Sequence, residues 1–387
     1  HANSCRSTAA SLQLRDTFFL ITSISSISSK KMKSTSPTSD FNGQSVTNGK
    51  RTVKIKFIDY WSTLPEELDG YLVMQVLRKH YNVEICNDAD YVFYSVMGES
   101  HWSVPDKCVK IFCTGENVAP DFNACDYAVG FEWMDYEDRY IRFPNYLFYG
   151  NSILPDMEHK HELPENWDLK TEKTGFCSFV VSNHRNKGRN AAFHALCQYK
   201  KVDSGGRYLN NIGEVVQDKL AFERKHKFSL CFENGAHSGY TTEKLVQAFA
   251  ARTVPIYWGD PNVGKVFNKK AFVDASDFRS MEELIARIRQ IDEDDELYLS
   301  MLREPALLPA TLTRDEEYAR FETWLLNIFE QPLEQAYRRN REMHGKWYIE
   351  RRFCLSYKDN WKAILNLYKE KFHKGIAYIK KRYLHKE

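Results

Sequence analysis

Several features are missing from this sequence, and each absence excludes a class of protein. No apolar run approaches the roughly 18–20 residues that a bilayer span needs, so an integral membrane protein is not expected. The nine cysteines are odd in number and include no Cys-x-x-Cys pair, which argues against a disulfide framework and a zinc site. Asn-x-Ser/Thr sequons are also missing. Together these absences favour a reducing, cytoplasmic location over a secretory compartment.

Common catalytic signatures are missing as well. Gly259 to Lys265 spells Gly-x-x-x-x-Gly-Lys, but Val266 stands where a phosphate-loop protein has the Ser or Thr that binds magnesium. No Gly-x-Ser-x-Gly occurs, and no Gly-x-Gly-x-x-Gly opens a helix after a strand. These absences disfavour a phosphate-loop NTPase, a lipase-type hydrolase and a dinucleotide-dependent enzyme.

Charge is distributed unevenly along the chain. Hydrophobic residues make up 43% of the sequence and charged residues 27%, which is enough apolar material for a packed core. The net charge is +2, but residues 331–387 carry 15 Lys and Arg against 6 Asp and Glu, which is +9, and the remaining body is at −7. Because an acidic body repels a phosphate backbone, a nucleic-acid-binding protein is not expected.

The chain divides into four predicted regions. Residues 1–50 are rich in Ser, Thr and Asn, and we expect them to be disordered. Because the chain starts with His, Met32 is a candidate natural start and the residues before it a candidate artefact. Residues 51–160 and 161–330 each alternate strand and helix patterns, which predicts two doubly wound α/β domains with a cleft between them. Residues 331–387 are predicted to be a basic helical tail.

The strand and helix patterns are short but regular. In the first domain they predict one helix at 67–80 and strands at 53–58, 83–86, 91–94, 109–113 and 127–130. A polar linker is predicted at 151–173. In the second domain they predict strands at 176–181, 228–232, 254–258 and 271–273, and helices at 189–197, 242–251, 280–289, 293–302 and 314–329.

One carboxylate stands where an α/β domain binds its ligand. Glu116 directly follows the strand at 109–113, and a carboxylate at the carboxyl end of a parallel strand lies at the ligand crevice. If partly buried there, it can act as a general base with a raised pKa. The alternative is a turn or helix-capping glutamate.

A second candidate site is the turn between a buried strand and a helix at 232–244. The N-terminus of such a helix is an anion-binding position. Lys244 in the first turn opposes the helix dipole, so a bound phosphate would explain its presence, and Glu243 could accept hydrogen bonds from ribose hydroxyls. The alternative is an exposed charge pair on a surface helix.

A third candidate site follows the strand at 176–181. Ser182 or Asn183 could lie near a helix N-terminus, and basic side chains between them and Asn190 could meet a diphosphate, with bidentate contacts from arginine. The alternative is a solvated basic loop. No metal site is predicted, because Asp88-Ala89-Asp90 is explained better by turn chemistry, and His159 with His161 makes a poor metal pair.

A family resemblance is carried by the run from Phe228 to Gly259, which reads FSLCFENGAHSGYTTEKLVQAFAARTVPIYWG. This run resembles the motif of the α1,3-fucosyltransferases, glycosyltransferase family 10. The segment 112–140, with CTGEN and DFNACDYAVGFE, is similar to the acceptor-domain half of bacterial members, and 179–190 resembles their donor-domain entry. The chain departs from the family pattern in having Gly-Ala at 235–236, where Ser-x is common, and Thr241, where Ile or Val is common.

The resemblance, over roughly 54–302, implies a GT-B architecture of two Rossmann-like domains. It places GDP-fucose in the C-terminal domain and the acceptor mainly against the N-terminal domain. Carried over position by position, the implied roles are a general base at Glu116, diphosphate contacts from Arg189 and Lys244, further donor contacts from Tyr240 and Asn234, and a ribose contact from Glu243.

The implied activity is a single inverting displacement of fucose from GDP. The expected acceptor is the 3-hydroxyl of N-acetylglucosamine in an N-acetyllactosamine-type glycan of a lipopolysaccharide, which gives a Lewis x type product. No cofactor is expected to be required, and a divalent ion would at most stimulate turnover. The alternatives are an α1,4 or N-glycan core α1,3 linkage, or a catalytically inactive nucleotide-sugar or glycan-binding protein. The oligomeric state stays open.

The tail has its own pattern. Apolar residues recur at helical spacing among lysines and arginines beyond Tyr357, which predicts a basic amphipathic helix. Residues 361–387 are expected to contact the inner face of a membrane, close to a glycolipid acceptor. The alternative, for 361–372, is a terminal helix that packs back on the first domain.

Overall fold

The computed structural model describes residues 49–104, 107–149 and 152–355. The predictions for residues 1–48 and for the tail segment 361–387 therefore lie outside the described residues. Within the described ranges, no helix combines the length and the apolar character that a bilayer crossing requires.

Parallel strands form the first sheet, with bounds β1 Thr52–Ile58, β2 Asn82–Ile85, β3 Tyr91–Tyr94, β4 Val109–Cys113, β5 Tyr127–Gly130 and β6 Tyr140–Arg142. Their order in space is β2-β1-β3-β4-β5-β6. Strands β3, β4 and β5 are buried along their whole length, as in a parallel sheet covered on both faces. The sequence patterns do not predict β6, which is only three residues long.

The second sheet is also parallel, with bounds β7 Gly175–Phe179, β8 Val202–Ser204, β9 His226–Phe232, β10 Val254–Trp258 and β11 Val273–Asp274. Its order is β11-β10-β9-β7-β8. The winding therefore reverses between β7 and β9, and open α/β sheets bind ligands at such a point. The short β8 is not predicted, and of the strand predicted at 271–273 only Val273 lies in β11, because Ala271 ends a 3₁₀ turn at Lys269–Ala271.

The helices have the bounds α1 Pro65–Leu68, α2 Leu72–His80, α3 Asn145–Tyr149, α4 Leu154–Glu158, α5 Leu169–Glu172, α6 Lys187–Tyr199, α7 Lys219–Arg224, α8 Glu243–Ala250, α9 Met281–Glu293, α10 Asp295–Arg303, α11 Arg314–Glu330 and α12 Leu333–Ala336. Residues 343–355 are also helical. The single helix predicted over 67–80 is two helices, because Tyr71 takes an extended conformation between them. The predicted linker at 151–173 contains α4 and α5.

Helix α11 follows the second sheet in sequence but covers the first sheet in space. Phe329 stacks on Tyr91 of β3 with ring centroids 4.1 Å apart, and the Trp324 Nε1–H donates to the Asp138 carbonyl at 2.9 Å. One hydrophobic core runs from the first sheet through α11 to α8 of the second domain. The helix therefore ties the end of the predicted second domain to the first.

The carboxyl ends of the two sheets meet. The Tyr146 N–H, at the start of α3, donates to the Thr241 carbonyl at 3.1 Å. The ring of Phe131, just after β5, lies 5.1 Å from that of Tyr240, in the loop after β9. The expected architecture of two Rossmann-like α/β domains that face a cleft is confirmed.

Candidate functional site

The loop 233–242 joins β9 to α8 and lies against the first domain. Asp260, which follows β10, accepts hydrogen bonds from the Gly239 N–H at 2.7 Å and from the Thr241 hydroxyl at 3.2 Å. Gly239 has a φ of +85°, and a Cβ there would lie 2.1 Å from the Phe131 carbonyl oxygen, so a side chain cannot be accommodated. The loop is therefore fixed in one conformation.

A buried carboxylate organises the start of α8. Glu233, at the end of β9, is fully buried and accepts hydrogen bonds from the Thr242 N–H at 2.8 Å and from Lys244 Nζ at 3.0 Å. Burial raises the pKa of the Glu233 carboxyl, against the lowering effect of Lys244. Burial alone would lower the pKa of Lys244, but Glu233 and Glu243 raise it overall. The ion pair keeps Lys244 charged, and Glu233 explains a lysine in the first turn of α8 without a bound phosphate.

Glu243 completes this charge cluster. Its Oε1 lies 3.4 Å from Lys244 Nζ, and the two side chains are 25% and 19% exposed. Burial alone would raise the pKa of Glu243, but Lys244 and Lys219 lower it overall, so the carboxylate is ionised. The alternative of an exposed surface charge pair is wrong, because both groups are largely enclosed and still open enough to reach a ligand.

Arg189 is buried behind the loop and does not project into the open cleft. It is 1% exposed, and its guanidinium donates to Asn234 Oδ1 at 3.0 Å and to the Asn183 carbonyl. Burial lowers the pKa of Arg189, against the raising effect of Glu233. Its buried Nε has no hydrogen-bond partner among the described residues. In this conformation Arg189 joins the loops after β7 and β9.

Ser182 and Asn183 are exposed after β7, at the reversal of the sheet. Asn183 Oδ1 accepts the Arg185 N–H at 2.9 Å, which closes a turn. Neither residue caps α6: that position belongs to Asn186, whose Oδ1 accepts the Arg189 N–H at 2.9 Å. Ser182 and Asn183 therefore line the rim of the site, one turn away from the helix N-terminus.

Glu116 lies in a turn whose backbone is fixed on both sides. Thr114 Oγ1 accepts the Glu116 N–H at 3.2 Å and the Ser95 hydroxyl at 3.0 Å. Asn145 Nδ2 donates to the Gly115 carbonyl at 2.9 Å. The residue is half-buried, and within the described ranges its carboxylate has no hydrogen-bond partner. A carboxylate held in this way can accept a hydrogen bond from a bound hydroxyl.

Tyr240 connects the two sides of the cleft. It is buried, and burial is the main reason that its pKa is raised. Lys244 lowers the pKa, whereas the carboxylates of Glu233 and Glu116 raise it further. The turn that carries Glu116 also approaches this loop, since a Cβ at Gly235 would lie 3.3 Å from the Nδ2 of Asn117, the residue after Glu116.

The predicted residues are thus placed in four positions: Tyr240, Glu243 and Lys244 at the end of the loop 233–242 and the start of α8, Glu116 in a turn of the first domain, Arg189 with Asn234 behind the loop, and Ser182 with Asn183 exposed after β7. Sequence reasoning missed Glu233 and Asp260. The sequence does contain an indication of the role of Glu233. A lysine in the first turn of a buried helix needs a carboxylate partner, and Glu233 directly follows the strand that precedes this helix. No pattern in the neighbouring sequence indicates that Asp260 binds the loop 233–242, because Asp260 follows a different strand.

The other polar motifs have local partners. Asp88 pairs with Lys107 at 2.9 Å, and His159 with Glu162 at 2.9 Å. Among the described residues, no group of three His, Cys, Asp or Glu side chains is arranged to hold a metal ion. The cysteines of the described ranges are all free thiols.

Comparison with protein families covers both halves of the cleft. Residues 55–149 match the alpha-(1,3)-fucosyltransferase FucT N-terminal domain. Residues 170–324 match the C-terminal part of glycosyltransferase family 10 (fucosyltransferase). Together the two matches take in well over half of the chain and all eight predicted site residues.

Individual relatives agree with the family matches. The chain is 33% identical over 288 residues to alpha-(1,3)-fucosyltransferase FucT of Helicobacter pylori, and the match covers 66% of this chain and 60% of that relative. The chain thus spans less than two thirds of that relative.

Two crystal structures are each 29% identical to the chain. One, of alpha1,3-fucosyltransferase, has a TM-score of 0.63 and covers 79% of this chain and 96% of that one. The other, of alpha1,3-fucosyltransferase with GDP-fucose, has a TM-score of 0.59 and covers 84% and 99%.

Proposed function

Because the chain belongs to glycosyltransferase family 10 and has its GT-B fold, we propose that it is an inverting α1,3-fucosyltransferase. The donor is GDP-fucose, and the acceptor is the 3-hydroxyl of N-acetylglucosamine in an N-acetyllactosamine-type glycan, which gives a Lewis x type product. The name of the H. pylori relative supports the linkage, and a similar crystal structure that contains GDP-fucose supports the donor.

The observation that carries the proposal is the approach of the Glu116 turn to the loop 233–242, where a Cβ at Gly235 would lie 3.3 Å from Asn117 Nδ2. The carboxylate comes from the first domain, has no hydrogen-bond partner within the described residues, and acts electrostatically on a side chain of the loop 233–242. Lys244 lies four residues after Tyr240 in the sequence, at the N-terminus of α8. In the proposal, Glu116 is the proton acceptor on the first domain and Lys244 is the anion-binding group on the second, as an inverting displacement requires.

In the proposed reaction, the Glu116 carboxylate takes the proton of the acceptor hydroxyl while that oxygen bonds to the anomeric carbon of fucose. The bond from the anomeric carbon to the phosphate oxygen breaks, and its electron pair leaves with GDP. Lys244 and the N-terminus of α8 stabilise the departing charge directly, and the buried Arg189 adds positive charge from behind the loop. Tyr240 and Asn234 hold the donor, Glu243 holds the ribose, and Ser182 and Asn183 line the rim.

The cofactor and the location are part of the proposal. Because the protein's own cations supply positive charge to the leaving group, transfer proceeds without a metal ion, and a divalent ion at most stimulates it.

The acceptor is a lipopolysaccharide-type glycan at the inner face of a membrane, reached from the cytoplasm. Membrane contact is assigned to residues 361–387, which lie outside the described residues.

The test is transfer from GDP-fucose to N-acetyllactosamine in the presence of EDTA, followed by linkage analysis of the product. The expected result is a 3-linked fucosyl product. Transfer only to the isomeric disaccharide that has galactose on the 3-hydroxyl and a free 4-hydroxyl would overturn the linkage, and transfer to N-glycan cores alone would overturn the acceptor. Tight binding of GDP-fucose without transfer to any acceptor would indicate a binding protein, and a lack of binding would overturn the donor.

A further inference from the structure

The buried carboxylate of Asp260 holds one short part of the loop 233–242. Asp260 follows β10 and is 4% exposed. Its Oδ1 accepts the Gly239 N–H at 2.7 Å, and its Oδ2 accepts the Thr241 hydroxyl at 3.2 Å. These two hydrogen bonds lie on either side of Tyr240 in the sequence, so they fix the backbone position of that residue.

Asp260 is itself fixed by its own neighbours in the second domain. Its N–H donates to the Tyr257 hydroxyl at 3.1 Å, and its Oδ1 also accepts the Asn262 N–H at 2.8 Å. Among the described residues, Thr241 provides the hydrogen bond to Oδ2. Loss of the Thr241 hydroxyl would therefore leave a buried carboxylate oxygen unbonded, which is costly.

The part of the loop that Asp260 holds is also the part that touches the first domain. Gly239 packs on the Phe131 carbonyl, where a Cβ would lie 2.1 Å from the oxygen. The Thr241 carbonyl accepts the Tyr146 N–H at 3.1 Å. Both residues that bind the Asp260 carboxylate in the loop are thus in contact with the domain that carries the proposed general base.

Glu233 holds the other end of the loop. It accepts hydrogen bonds from the Thr242 N–H and from Lys244 Nζ, at the start of α8, where the proposed function places the diphosphate. The two buried carboxylates therefore divide the loop between them. Glu233 anchors the donor contacts, and Asp260 anchors the contacts with the first domain.

We propose that Asp260 is a positioning residue for fucosyl transfer. Through the loop, it sets the distance between Glu116 on the first domain and the donor on the second, and transfer is sensitive to small errors in that distance. This inference rests on the proposed function and adds to it a residue that acts through the loop. Because Thr241 stands where Ile or Val is common in the family, this chain has a hydroxyl for Asp260 that those members lack.

The test is Thr241→Val, which removes the hydroxyl and keeps the branched shape of the side chain. Asp260 also acts electrostatically on Arg142 of the first domain, so a change at Thr241 is cleaner because it leaves that charge in place. The expected result is a kcat about tenfold lower, with a dissociation constant for GDP within about threefold, since Glu233 still holds the start of α8.

Two comparisons separate positioning from a loss of stability. Thr241→Ser keeps the hydroxyl and is expected to keep kcat within about threefold, whereas Thr241→Ala is expected to lose it as the valine variant does. This pair decides the question if the valine variant does not fold. Thr253→Val is the matched control, because the buried Thr253 hydroxyl donates to the Ala248 carbonyl at 2.9 Å, at the far end of α8. It is expected to lower the Tm and to keep kcat.

The outcomes separate this inference from the proposed function. An unchanged kcat in Thr241→Val, or a fall no larger than that in Thr253→Val, would overturn the positioning role. Weaker GDP binding by Thr241→Val, with kcat unchanged at saturating donor, would assign Asp260 to donor binding and also overturn it. If the unaltered protein transfers fucose to no acceptor, the proposed function fails, and the positioning role fails with it.

Discussion

The two sides of the cleft differ in how their polar groups are used. On the second domain, the buried carboxylates of Glu233 and Asp260 each accept several hydrogen bonds, and they fix the loop 233–242. On the first domain, Asn117 Oδ1 and Glu132 Oε1 are buried without hydrogen-bond partners among the described residues. The loop 233–242 is anchored before a ligand binds, although Arg189 Nε behind it has no partner among the described residues, and the first domain leaves side-chain oxygens unbonded at the cleft.

The two sides of the cleft also differ in how many large apolar side chains they expose. Several large apolar side chains are exposed in the loops after β4 and β5 of the first domain, namely Val118, Trp133, Met134 and Tyr136. In the loop after β9, by contrast, Tyr240 is buried. A preformed site suits a donor that never changes, and an open surface with unused polar atoms suits a larger and more variable acceptor.

The largest expected effect is that of Glu233→Gln on the donor side. The change leaves Lys244 without its buried ionic partner, so a loss of about 3–5 kcal/mol in unfolding free energy is expected. The loop 233–242 also loses its anchor, so the dissociation constant for GDP is expected to rise at least tenfold. Urea unfolding and calorimetric titration measure the two effects. Unchanged stability would mean that the network does not hold the loop.

The next effect is a pH dependence from the far end of α8. Lys173 Nζ donates to the Ala251 carbonyl at 3.3 Å and to the Arg224 carbonyl at 2.7 Å, and burial lowers its pKa to about 7. Between pH 7 and the ordinary lysine value of 10.5, the unfolded chain therefore binds the extra proton. Stability is expected to rise with pH in that window, by up to about 1.4 kcal/mol per unit for this lysine.

Lys173→Met isolates that contribution. Urea midpoints measured from pH 7 to 9 are expected to rise less steeply in the variant than in the unaltered protein. A smaller rise is expected to persist, because burial also lowers the pKa of Lys160 to about 7. Equal slopes in the two proteins would contradict the assignment.

A smaller effect is expected from Gly239→Ala. Because a side chain at a φ of +85° is strained and would collide with the Phe131 carbonyl, a cost of about 1–3 kcal/mol and weaker GDP binding are expected. Gly235→Ala is the matched control in the same loop, since a Cβ there would approach only the Asn117 side chain, at 3.3 Å. Equal costs for both variants would show that the contact with Phe131 does not fix the loop.

The smallest effect is expected from Glu132→Gln on the acceptor side. Among the described residues, the side-chain contacts of the carboxylate are long, with His237 Nε2 at 3.5 Å and with the Tyr140 hydroxyl at 3.5 Å. Burial also raises the pKa of Glu132, so the charged form gains little from the fold. A stability change below about 1 kcal/mol and unchanged GDP binding are expected. A loss as large as that of Glu233→Gln would remove the contrast between the two sides.

The sequence predicts those parts of the site whose position depends on neighbouring residues in the chain. Glu116 and Lys244 are predicted to lie at one cleft because Glu116 directly follows a buried strand and Lys244 opens a helix, and strand ends converge in a parallel sheet. The burial of Arg189 was not predictable, since it depends on carbonyls and amides from two other loops. The position of α11 on the first sheet was not predictable either, because its apolar face would fit either domain.

The central claim is that Glu116 takes the acceptor proton opposite a donor loop that is already formed. The most direct measurement is kcat for fucosyl transfer by Glu116→Gln, with the dissociation constant for GDP-fucose measured on the same preparation. We predict that kcat falls by about 10²–10⁴-fold, because one general base is lost, while the dissociation constant stays within about twofold. Unchanged turnover in Glu116→Gln would contradict the account.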